Sequence, residues 1–267
     1  RASVYGGCEL TDVGNVTSVE TDNDGKVVKG KCKVKMSGGT LGVPRTLDQI
    51  AKHPVTCYLF GAGKGDQRTR FNQWTNVGSV EVEVSGGIIY GSVFGGGEDG
   101  HVLGDVEITI KEGTSFTIGS NTYTAPTIGT WGTSYVEGNV FGAGRGFGRD
   151  ALTAGVVSGN VDIKIQGGKM LGSIYGGGRL GSVGTYLVPS THANYGKLID
   201  DGKKVTITDG SISETTGGGN HGHITIDISG GTIGNSYEYV IPCTADNTAV
   251  GITETDITKW TTTAGGD

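Results

Sequence analysis

Proline is scarce in this chain, with 5 residues in 267, and cysteine is scarcer still, with 4. So little proline, beside glycines that keep no three-residue period, excludes a collagen triple helix and a proline-rich disordered linker. Cys8, Cys32, Cys57 and Cys243 are too few and too scattered for a disulfide-scaffolded miniprotein, and no CxxC pair marks a zinc or redox site. One disulfide in an oxidising compartment and buried unpaired thiols both remain open on this spacing. Charge is thin as well: 18% of residues are charged, 34% are apolar, and the net charge is −6. That balance argues against a general nucleic-acid or anionic-membrane surface. No apolar run approaches the roughly 18 residues of a membrane-spanning helix. No charged-then-apolar opening reads as a secretory signal, and helical periodicity is almost absent.

Glycine is what the chain has in excess, 52 residues, several times the usual share of about 7%. Much of it sits in one recurring aliphatic-aromatic-glycine word: VYGGC from Val4, LFGAG from Leu59, VFGGG from Val93, VFGAG from Val140, IYGGG from Ile174, and a degraded TTGGG from Thr215. A repeated word means a repeated structural unit. In its clearest copies, Val80 to Asp105 and Val161 to Gly184, an alternating run (VEVEV, VDIKI) is followed by a double glycine, a second short run, a triple glycine and a third short run. Period-two alternation of apolar and charged residues predicts a strand with one buried face. The expectation is therefore an all-β parallel β-helix, a β-solenoid of about 25 residues per coil with glycine corners and loop insertions. Tyr5, Phe60, Phe94, Phe141 and Tyr175 hold equivalent places in the word and are expected to stack as a structural aromatic column.

Residues 1–267 read as a single section of that kind, with inserts at 42–56, 64–77, 114–137, 145–158 and 179–204. Arg1 lies in mid-repeat and the chain ends on TAGGD, which suggests a section of a longer array. Three of the inserts leave just after the triple glycine, so the cations and rings there, Lys64, Arg68, Arg70, Phe71, Trp74, Arg145, Phe147, Arg149 and Arg179, are expected to share one side. Together they would suit a carbohydrate and its acidic groups. Ordinary solvated loop charges, paired with Asp66, Glu98, Asp99 and Asp150, are the plainer explanation.

His221 and His223 would point the same way from a strand, but a third ligand is found only in Asp227, so polar edge caps are favoured over a metal site. GAGKG at Gly61 to Gly65 lacks the Ser or Thr and the helix of a phosphate loop. No GxSxG nucleophile word appears. Asp200 and Asp201, a paired carboxylate of the kind glycoside hydrolysis needs, lack the accompanying words of pectin-cleaving enzymes. No catalytic residue, cofactor or resident metal is expected.

The words SGGIIYGSVFGGGEDG (Ser85 to Gly100) and QGGKMLGSIYGGGRLG (Gln166 to Gly181) resemble the glycine-rich repeats of large cell-surface proteins of the Bacteroidota. Those repeats are similar in architecture to autotransporter passengers and β-helix adhesins. The resemblance implies export to the cell surface. The function expected from shape and resemblance is a non-catalytic surface solenoid, structural or adhesive, contacting glycans or proteins. Its alternatives are a fibre-forming subunit and a polysaccharide lyase or hydrolase on a β-helix scaffold. Expected partners are a glycan, a surface protein, or the chain itself through self-association or further repeats; neither nucleic acid nor a direct membrane span is expected.

Overall fold

The computed structural model describes residues 2–13, 30–45, 57–65, 75–130, 137–146, 154–184 and 222–234. Fifteen strands are found there: β1 (Val4–Tyr5), β2 (Lys31–Leu41), β3 (Leu59–Phe60), β4 (Asn76–Val77), β5 (Ser79–Ile89), β6 (Val93–Phe94), β7 (His101–Val102), β8 (Val106–Ile110), β9 (Phe116–Ile118), β10 (Asn121–Tyr123), β11 (Thr127–Ile128), β12 (Val140–Phe141), β13 (Val161–Met170), β14 (Ile174–Tyr175) and β15 (Ile224–Ile233).

The longest strands follow from the alternating runs. In β5, Val80, Val82 and Val84 turn inward and are buried while Glu81 and Glu83 face outward, as a two-residue period demands. The double glycine does not end these strands. Its second member adopts a left-handed backbone in each, φ +79 at Gly39, +93 at Gly87, +90 at Gly168 and +85 at Gly231, a region open to glycine at little cost. The chain bends there and pairing resumes beyond the bend, with a register shift.

The strands gather into four sheets. One is open and parallel, five two-residue strands in the order β1, β3, β6, β12, β14. A second parallel group holds β2, β5, β8, β13, β15 and β11. The remaining two are the parallel pair β4 and β7, and the antiparallel hairpin β9 and β10. Within the second group β8 pairs with the leading arms of β5 and β13, at Val80 to Val84 and Val161 to Ile165. The trailing arms pair instead with β11, Thr127 meeting both Ile88 and Lys169. β5, β8, β13 and β11 thereby close a small four-strand parallel ring.

These observations correct the expected regular β-helix. The fold is all-β, but it is built as a small closed parallel ring beside separate open sheets, not as a uniform series of 25-residue coils. The physical reason lies in two features. Left-handed glycines carry the long strands through what was expected to be a corner, and β8 stops at Ile110, so the distant β11 fills the missing half. The roles expected of an extended solenoid lose their basis with that shape: the adhesive or structural surface rod, the fibre subunit, and the polysaccharide-degrading enzyme on the same scaffold.

Two apolar clusters result. The aliphatic one lies between the sheets and includes Leu59, Val93 and Val140 with Val82, Ile108 and Ile163. Because neighbouring residues of a strand face opposite ways, Phe60, Phe94 and Phe141 project to the other side. There they form a second cluster with Cys57 and Tyr58.

Candidate functional site

Five rings run across the open sheet in strand order. Tyr5 stacks on Phe60 at 5.0 Å between centroids, Phe60 on Phe94 at 4.9 Å, Phe94 on Phe141 at 4.7 Å and Phe141 on Tyr175 at 4.8 Å. Parallel, in-register pairing produces this, since Tyr5, Phe60, Phe94, Phe141 and Tyr175 are successive register partners. Tyr58 meets Phe60 and Phe94 edge-on and helps to cover the column. Tyr175, at the β14 end, is 39% exposed.

A charged row runs beside the column, past the triple-glycine turn. Backbone bridges join Glu9 to Lys64, Glu98 to Arg145, and Arg145 to Arg179, while Lys64 also bridges to Asp99. Lys64 Nζ lies 2.6 Å from Glu9 Oε1. The Tyr5 hydroxyl donates to Glu98 Oε2 at 3.0 Å, and burial, reinforced by this carboxylate, holds its phenol well above the ordinary range. The Arg145 guanidinium lies 5.0 Å above the Tyr58 ring, a cation–π contact. The row thus starts on an anion, Glu9, and finishes on two successive cations, Arg145 and Arg179.

Of the nine corner residues singled out in the sequence, the structure places Lys64, Arg145 and Arg179 in this row. Arg68, Arg70, Phe71, Trp74, Phe147 and Arg149 lie outside the described residues, as does His221. His223 precedes β15, and its backbone N–H donates to Asn160 Oδ1 at 3.0 Å. Asn160 in turn donates its own backbone N–H to Asp105 Oδ1 at 2.8 Å, so these residues tie one strand start to the next.

The most exposed apolar feature is at β15. This strand pairs with β13 alone, and among the described residues no strand meets its outer edge. Its inward-facing residues are register partners of some of the best-buried side chains in the molecule. Val161, Ile163, Ile165 and Met170 are at most 1% exposed, whereas their partners Ile224, Ile226, Ile228 and Ile233 are 46, 41, 55 and 42% exposed. Sequence reasoning identified ITIDISGG as a strand but not as a bare one. The only available signal was its resemblance to the other long strands, and that says nothing about what lies beyond it.

The chain matches no family model, no characterised protein and no solved structure.

Proposed function

We propose that this protein is a non-catalytic association domain, and that its working surface is the outer edge of β15, which accepts a further parallel strand with aliphatic residues at alternate positions. The observation that carries this reading is the contrast between β13 and β15: one aliphatic pattern in one register, sealed in β13 and open in β15. Unpaired strand edges carry N–H and C=O groups ready to continue a ladder. Full burial of an isoleucine is worth about 1.5–3 kcal/mol, so covering four half-exposed ones contributes on the order of 4 kcal/mol. Association itself costs at least about 4 kcal/mol. Net affinity must therefore come from the backbone ladder and the neighbouring contacts, which suggests binding in the micromolar range or weaker. An extracellular location, implied by the likeness of the glycine words to those of surface proteins, belongs to the same proposal.

A fluorescent peptide copying Val161–Met170 tests this directly, because it reproduces the strand β15 already accepts on its inner edge. Saturable binding, lost in the Ile226→Lys, Ile228→Lys double variant, is the expected result. Failure of the peptide to bind at millimolar concentration would overturn the reading.

A further inference from the structure

Resting on that reading, we infer that the strand β15 accepts is β2 of a second copy of this chain, seated head to tail, with Tyr5 of the second copy on Tyr175 and Glu9 of the second copy beside Arg179. β2 is the strand at the opposite limit of the same parallel group and pairs with β5 alone among the described residues.

Four rows of side chains cross the molecule, and each ends in a group suited to its own beginning. The inward row starts with Cys32, Val34, Met36 and Leu41 and ends with Ile224, Ile226, Ile228 and Ile233. At the β2 end Cys32 and Val34 are already covered, so the apolar gain comes mainly from the β15 side. The outward row passes from Lys35 through Glu83, Thr109 and Lys164 to Asp227. Lys35 binds Glu83 at 3.1 Å, and Lys111 binds the other oxygen of the same carboxylate at 3.0 Å. A repeat of that step across the interface places Lys35 of the second copy opposite Asp227. The aromatic row begins at Tyr5 and ends at the exposed Tyr175. The corner row begins at Glu9 and ends at Arg179, next to a second cation, Arg145.

Strand length and bend agree as well. β2 and β15 both run through a double glycine, Gly38–Gly39 and Gly230–Gly231, whose second member is left-handed. A second copy translated along the ladder therefore meets parallel strand with parallel strand, bend with bend, ring with ring and anion with cation. The opposite seating, β15 against β15, would need antiparallel pairing around two identical bends and would bring Asp227 toward Asp227. Like charges at such a step are unfavourable.

Sedimentation velocity across a concentration series tests the inference. The wild-type chain is expected to self-associate, and the Ile226→Lys, Ile228→Lys variant to raise the dissociation constant by at least about tenfold, equivalent to about 1.4 kcal/mol. A second variant, Lys33→Glu with Lys35→Glu, keeps β15 intact and reverses the charge of the β2 face. If it fails to fold by circular dichroism, Glu9→Arg takes its place. Each variant alone is expected to stay monomeric, and a mixture of the two to form a 1:1 pair, because one retains a competent β2 face and the other a competent β15 edge. A monomeric wild type that still binds the Val161–Met170 peptide would overturn the second-copy inference and leave the strand-accepting reading standing. A wild type that neither binds the peptide nor associates would remove both. Association that survives in the β2-face variant and yields no mixed pair would show β15-to-β15 pairing and overturn the head-to-tail geometry.

Discussion

Leu10, Asp99 and Leu180 occupy one place in the turn that follows the triple glycine, and all three have left-handed backbone, φ 62, 56 and 57. The corresponding places in the two other copies, Gly65 and Gly146, hold glycine. A left-handed conformation costs an ordinary residue about 1–2 kcal/mol, part of which is returned because glycine frees the unfolded chain. Leu180 is 51% exposed and gives up little packing if replaced. Leu180→Gly is therefore expected to raise stability by about 0.5 kcal/mol, read as a higher urea midpoint with an unchanged slope. Cys32 has a pH-dependent consequence. Burial, with the thiol of Cys8 contributing, pushes its pKa from an ordinary 9.0 up to about 11. Below pH 9 both folded and unfolded chains keep that proton. Between pH 9 and 11 the unfolded chain loses it first, so stability falls as pH rises. Cys32→Val, matching its register partner Val80, is expected to remove about 2 kcal/mol of that alkaline loss. Cys57 and Tyr5, whose pKa values are also raised by burial, account for what remains. Denaturation curves at pH 8 and 10.5 would check this; equal alkaline losses in variant and parent would contradict it.

At the scale of elements, the aromatic column and the outward ion pairs differ sharply in what they contribute. Phe94 is 1% exposed and stacked on both faces. Phe94→Ala is expected to cost about 3–5 kcal/mol in unfolding experiments. Tyr175→Ala, at the exposed end of the same column, should cost well under half of that. Lys33 and Lys35 lie on Glu81 and Glu83 at 2.6 and 3.1 Å, and both carboxyls titrate below their usual range because these lysines and Lys111 bond to them. The pairs are on the surface, where such contacts are worth under about 1 kcal/mol. Their part is to keep adjacent strands in register; stability comes from Val82, Ile108 and Ile163 beneath them.

Which residues form these strands and which side turns inward could be read directly from VEVEV and VDIKI, because a two-residue period leaves an alternating run a single way to bury its apolar set. The aromatic word was legible for the same reason. The continuity of the strands through their double glycines was not, since a glycine pair can equally end a strand or bend it. The hairpin of β9 and β10, closed by Gly119 with φ +62, likewise lies inside a segment that reads only as an insert.

Over the whole molecule the two limits of the long parallel group are unequal: covered apolar residues at β2, bare isoleucines at β15. Hydrogen exchange is expected to be faster in β15 than in β8 at low protein concentration, and β15 is expected to gain protection as concentration rises. Exchange in β15 that is slow and independent of concentration would mean that its edge is already occupied within one chain.

By itself the sequence determined the strands, their inward faces and the recurrence that brings equivalent residues into register, because these depend on spacing along the chain. Only the tertiary structure decided that β11 closes a ring with strands far from it, that Glu9 and Arg179 end one row, and that Ile163 is sealed while Ile226 is not. Burial and charge pairing depend on what lies across the next 5 Å or so of space, and two isoleucines in identical local sequence differ only in whether a strand stands there.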